Sequence, residues 1–124
     1  MPIRSFTELN AWKEGHKLVL SIYKVTKTFP TDERFGLIDQ LRRAAISVTS
    51  GIAEGFSRNT ARDKGQFFYI ALGSLTEIQN QLLAARDLGY IDTLKFREVA
   101  DLTVTVHKLI NGLQKSAMTK IHNT

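Results

Sequence analysis

Four series of apolar residues, each stepping along the chain by three or four positions, dominate this sequence. The first is double: Trp12, His16, Val19 and Tyr23 run beside Leu18, Ile22, Val25 and Phe29. The second passes through Ile38, Leu41, Ala45, Val48 and Ile52 to Gly55. The third is Phe68, Ala71, Leu75, Ile78, Leu82 and Ala85, and the fourth is Val99, Leu102, Val106, Leu109 and Leu113 with Phe96 beside it. Such steps place side chains on one face of a helix that packs against other helices. Prolines occur only at 2 and 30, so nothing interrupts the three later series. The pattern predicts an all-α chain.

The punctuation sets the bounds. Ser5 with Glu8 three residues on has the spacing of a capping box. Pro30 disfavours helical geometry at Phe29. Thr31 or Asp32 can cap the second helix, Asn59 or Thr60 the third, and Asp92 or Thr93 the fourth. Gly89 follows Leu88, where a glycine ends a helix in left-handed geometry, with Tyr90 and Ile91 folding back. The predicted helices are 6–28, 33–57, 61–88 and 93–117, with 119–124 a frayed tail. Short connections force neighbouring helices to run in opposite directions. The expected fold is therefore an up-down-up-down antiparallel four-helix bundle. At 124 residues it forms one domain able to bury a core without staples.

Composition excludes several chemistries. The chain has no cysteine, so disulfides, thiolate metal sites and cysteine nucleophiles are absent. The longest apolar run, Phe67 to Leu72, falls far short of the about 20 residues that span a bilayer; no membrane association and no secretory leader are expected. Neither a Walker pattern nor Gly-x-Gly-x-x-Gly occurs, and no His-x-x-x-His or Glu-x-x-His pair supplies metal ligands. His16 reads as a partly buried packing residue, His107 lies beside the fourth seam, and His122 falls in the tail. Ser47, Ser50 and Glu54 share one side of the second helix, yet no base is placed to activate either serine. The expectation is no enzyme, no cofactor and no metal.

The second helix has unusual contents for a seam. Ser47, Thr49, Ser50 and Gly51 are mediocre or poor helix formers. Small and polar residues at helical spacing point to close backbone approach, an internal polar network, or both. Glu54 is expected to answer Arg42, Arg43 or Arg86.

The net charge is +5, compatible with nucleic acid, an anionic surface or an acidic protein. Two basic groupings stand out. Lys13, Lys17, Lys24 and Lys27 project together from the first helix. Arg58, Arg62 and Lys64 flank the start of the third, whose free N–H groups suit a phosphate. Taken alone, a solvated surface is the simpler account of both.

Gln40-Leu-Arg-Arg-Ala-Ala-Ile-Ser-Val, Ile52-Ala-Glu-Gly-Phe, Phe68-Tyr-Ile-Ala-Leu-Gly-Ser-Leu-Thr-Glu and Ala85-Arg-Asp-Leu-Gly-Tyr, in that order, resemble the four-helix-bundle proteins named after intervening sequences of 23S rRNA genes. The likeness extends from Phe6 and Trp12 through the fourth helix, and the family is related to the accessory variability determinant of diversity-generating retroelements. It implies a bacterial cytoplasmic protein without enzyme activity. It also implies assembly into a homopentameric ring, with RNA, DNA or a reverse-transcriptase-like protein as partner. What carries over by residue is a structural motif, Ser47, Ile52, Ala53, Glu54 and Gly55. The family commonly has Asn before Ile-Ala-Glu-Gly and Pro two residues earlier; here those positions are Gly51 and Thr49. The surplus apolar surface of the first and third helices agrees with self-association.

Overall fold

The computed structural model describes residues 4–123, and side chains through Thr119. Four helices form the chain: α1, Asn10–Thr26; α2, Leu37–Ser57; α3, Ala61–Asp87; and α4, Thr93–Asn123. Single 3-10 turns precede α1 (Phe6–Glu8) and α2 (Thr31–Glu33), and no strand occurs among the described residues. The helices surround one core, in which Leu18, Ile22, Leu41, Ile52, Leu75, Ile78, Leu82 and Ile110 are almost wholly excluded from solvent. Burial of each such side chain contributes about 1.5–3 kcal/mol relative to exposure. α2 and α3 share the most extensive contact, α3 also packs on α4, and α1 touches both α2 and α4.

Helix starts differ from the sequence expectation at two places. The first helix is broken at Leu9, whose backbone is extended. Ser5 Oγ accepts the Thr7 N–H at 3.2 Å, while Glu8 accepts the N–H of Arg4 at 3.2 Å. The capping-box residues thus close a separate turn instead of starting a long helix. α2 begins at Leu37, four residues later than expected. Thr31–Glu33 form their own turn, and the non-helical backbone of Gly36 stands between the two.

The ends of α3 follow the expectation closely. Thr60 Oγ1 accepts the Asp63 N–H at 3.1 Å. Gly89 takes φ 80°, and the N–H groups of Gly89 and Tyr90 bond to the carbonyls of Arg86 and Ala85 at 3.0 and 2.9 Å. This paired arrangement satisfies carbonyls that a bare helix end would leave open. Asp92 then caps α4 by accepting the Lys95 N–H at 2.7 Å.

α4 departs from its predicted seam and its predicted end. The buried positions are Val99, Thr103, Val106, Ile110 and Ala117, whereas Leu102, Leu109 and Leu113 are half-buried. Thr103 can occupy the seam because its hydroxyl donates to Ala100 O at 2.6 Å and accepts from Gln79 Nε2 at 3.1 Å. The expected frayed tail is helical through Asn123; Thr124 lies outside the described residues. Neither Pro nor Gly follows Gly112 to stop propagation of the helix.

Contacts between helices fix their relative register. Gly15 of α1 lies against Thr49 and Ile52 of α2, while Thr26 accepts the Arg42 Nε–H at 2.9 Å. Ser47 of α2 bonds Ser74 of α3 at 2.7 Å, and Gly55 faces Phe68. Gln79 meets Thr103, and Gly65 faces Gln114 and Ala117. No helix among the described residues is long and apolar enough to cross a membrane.

Candidate nucleic-acid interface

The α1 lysines share one outward face. At 100° per residue, Lys13, Lys17, Lys24 and Lys27 fall within one narrow sector opposite the core residues Leu18 and Ile22. All four are exposed. Lys27 extends the helical geometry by one residue as the C-cap, with φ −62° and ψ −25°. At 1.5 Å per residue the stripe is about 21 Å long.

Acids approach it at two points. Lys17 pairs with Glu14 at 3.2 Å, an exposed contact of low energetic weight. Glu98 also lies near Lys24, but pairs with Lys95 at 3.0 Å. Lys13, Lys24 and Lys27 have no ion pair among the described residues. Leu20 lies within the stripe and is 58% exposed.

The second grouping does not converge. Arg58, the C-cap of α2, donates to Glu54 at 3.0 Å and stacks on Phe67 with its guanidinium carbon 4.5 Å from the ring centre. Lys64 turns back to α2, donating to Phe56 O at 2.7 Å and Gly55 O at 3.3 Å. Its ammonium therefore serves the negative end of α2. Arg62 points elsewhere, into a groove of about 550 Å³ between α3 and α4 beside Tyr69, Ile70 and Met118. The start of α3, expected to receive an anion, is instead occupied by the Thr60 cap and carries Asp63 in its first turn. The difference arises because Lys64 reaches across nine residues to carbonyls that spacing along one helix does not reveal.

The motif of α2 is a packing device. Gly51 lies so close to α3 that an added Cβ would come within 2.9 Å of both Phe67 O and Ala71 Cβ. At Gly55 it would run into the Phe68 ring. Ile52 is fully buried and Ala53 half-buried. Ser47 meets a hydroxyl of α3 that the sequence reading did not single out, Ser74. Close approach and a polar contact coexist on this side of α2. Glu54, however, is exposed and pairs with Arg58, not with Arg42, Arg43 or Arg86. Arg43 pairs with Asp39 at 2.9 Å and Arg86 with Asp87 at 2.9 Å. Arg42 stacks on Tyr23 at 4.6 Å and donates to Tyr23 O and Thr26 Oγ1, which ties the end of α1 to α2.

The histidines are dispersed. His16 is exposed and stacks on Trp12, with ring centres 4.7 Å apart, not partly buried as its place in the series suggests. His107 lies 3.5 Å from Asn111, and the side chain of His122 lies outside the described residues. No group of three or more potential metal ligands occurs among the described residues.

Comparison with known proteins places this geometry in context. The family described as 23S rRNA-intervening sequence protein matches residues 7–112. The crystal structure of a protein of unknown function from the S23 ribosomal protein family of Bacteroides thetaiotaomicron has a similar fold. The TM-score is 0.78 at 18% identity, over 85% of this chain and 95% of that one. No functionally curated protein matches significantly.

Proposed function

The chain belongs to the 23S rRNA-intervening sequence protein family, and we propose that it acts as a non-enzymatic, homo-oligomeric accessory protein that binds RNA or DNA through phosphates. The single observation that carries this reading is the α1 stripe. Four exposed lysines share one face, and three of them have no ion pair among the described residues. Such cations release counterions from a phosphate backbone without reading bases, so affinity depends on salt and little on sequence. Engagement of Ser47 with Ser74, and not with a base, supports the non-enzymatic part.

The reading includes an up-down-up-down antiparallel bundle in the cytoplasm that closes into a homopentameric ring. Support for the topology is the opposed register of the helix pairs: Thr26 with Arg42 but Gly15 with Thr49, and Ser47 with Ser74 but Gly55 with Phe68. Support for self-association is apolar surface left in water on α3: Tyr69 at 71%, Ile70 at 52% and Leu83 at 43%. Light scattering should give about five times the 14.0 kDa chain mass; a 14.0 kDa particle would refute assembly.

A gel-shift titration with structured RNA tests the binding. Engagement of four phosphates gives a log–log salt slope of about −3 to −4. Charge reversal at Lys13, Lys17 and Lys24 should abolish the shift while leaving the helical circular dichroism intact. Absence of binding by micromolar protein in low salt would refute the reading. The same exposed α3 residues favour a second reading, an adaptor that docks an acidic or reverse-transcriptase-like protein without touching nucleic acid. Retention of a protein partner after nuclease treatment, with no RNA or DNA shift, would select it.

A further inference from the structure

We propose that Phe35 is a stacking platform for an unpaired nucleobase, placed beyond the end of the α1 lysine stripe. This rests on the phosphate-binding reading and narrows its partner to single-stranded nucleic acid. Phe35 is 87% exposed, more than any other large apolar side chain among the described residues. A phenylalanine kept in water forgoes the stabilisation its burial would bring. The core does not require it, since the neighbouring Leu37 and Ile38 already pack inward.

The ring is offered by an ordered turn. The N–H groups of Glu33, Arg34 and Gly36 bond to the carbonyls of Pro30, Thr31 and Glu33 at 3.0, 3.1 and 3.0 Å. Both carboxylate oxygens of Glu33 are engaged. One accepts the Leu37 N–H at 3.3 Å, and the other accepts the Tyr90 hydroxyl at 3.1 Å from across the bundle. Tyr90 in turn packs on Phe29, ring centres 5.6 Å apart. The backbone of so constrained a turn loses little freedom when a ligand settles on the ring.

The surroundings suit a base. The Arg34 guanidinium carbon lies 5.7 Å from the Phe35 ring centre, so a cation sits beside the ring and the ring is otherwise open to water. Lys27, the last lysine of the stripe, precedes Phe35 by eight residues. Asp32 is the exposed acid of this turn, and the local charge is mixed. A nucleobase is neutral and stacks on any aromatic face, and the lysines of the preceding helix would hold the phosphates. Aromatic platforms beside basic tracks are how single strands are bound without sequence preference. A duplex keeps its bases stacked inside and gains nothing from the ring.

Fluorescence anisotropy with three labelled oligonucleotides of about 15 nucleotides, within the usual site size, tests this: a single strand, a duplex, and an abasic strand with the same phosphates. The full-length chain should prefer the base-bearing single strand. Phe35→Ala should weaken that complex about tenfold, the scale of one lost stack, and change duplex and abasic binding less than about twofold. Phe35→Trp should restore single-strand affinity. Equal losses on all three probes, or no loss on any, would overturn the proposal. If charge reversal of the lysines abolishes binding while Phe35→Ala has no effect, the phosphate reading stands and this one falls. No binding of any probe by the unmodified chain overturns both.

Discussion

The α2–α3 contact and the outer face of α1 are opposites. Along Ser47, Gly51 and Gly55 the two helices approach so closely that a single added methyl group meets backbone or ring. Along Lys13, Lys17, Lys24 and Lys27 nothing but water and the occasional acid restrains the side chains. The first surface is a demand of shape and the second a supply of charge. Their difference teaches that the most distinctive residues of a chain can be the ones that set its packing. The motif specifies how near two helices stand, and the lysines leave their charge in water.

Substitutions can sharpen or break that contrast. The largest effect on stability is expected at Gly51→Val, whose branched side chain would press on Phe67 O and Ala71. The expected loss is about 2–3 kcal/mol by the usual scale of overpacking, seen as a lower midpoint in urea. An unchanged midpoint would mean that α3 stands off freely and that shape is not what this side of α2 enforces. Ser47→Ala should cost about 1 kcal/mol, because it leaves the hydroxyl of buried Ser74 without its partner. Adding Ser74→Ala should recover most of that loss, since removing both partners is nearly neutral.

Gly73→Ala is expected to act in the other direction. An added Cβ there meets nothing within 4 Å, so the helix-propensity gain of about 0.5–1 kcal/mol should appear as a higher melting temperature. The smallest change is expected from charge reversal at Lys13, Lys17 and Lys24. Each single reversal should change the stability by no more than about 0.5 kcal/mol, as for exposed positions in general. A large loss would show that the stripe is structural after all.

How much of this could be read from residues alone follows from what each feature depends on. All six α3 seam residues from Phe68 to Ala85 are buried, because a helix with uninterrupted spacing must turn that face inward. The stripe on α1 was legible for the same reason. The α4 seam departs from the apolar pattern, with Thr103 and Ile110 buried and Leu102 and Leu109 only half-buried. A pattern that counts apolar residues cannot see that a threonine hydroxyl has two partners waiting. The break at Leu9 escaped because the cap residues Ser5 and Glu8 are right for a helix and for a lone turn alike. Lys64 and Arg58 stand near Arg62 in sequence, yet their partners come from the end of α2 and from the Phe67 ring. The need for glycine at 51 and 55 was foreshadowed by poor helix formers in a seam, but the neighbours that require it, Phe67 O and Phe68, belong to another helix.

The engagement of Glu33 has a thermodynamic consequence. Its carboxylate closes the turn before α2 with one oxygen and holds Tyr90, 57 residues away, with the other. That contact raises the tyrosine pKa above its ordinary value, chiefly through the hydrogen bond to Glu33. The turn that displays Phe35 is therefore complete only when the second half of the chain has docked on the first. Anything that grips the native turn must also favour the docked state, by mass action. A ligand at this tip would raise the unfolding temperature of the whole bundle without contacting its core.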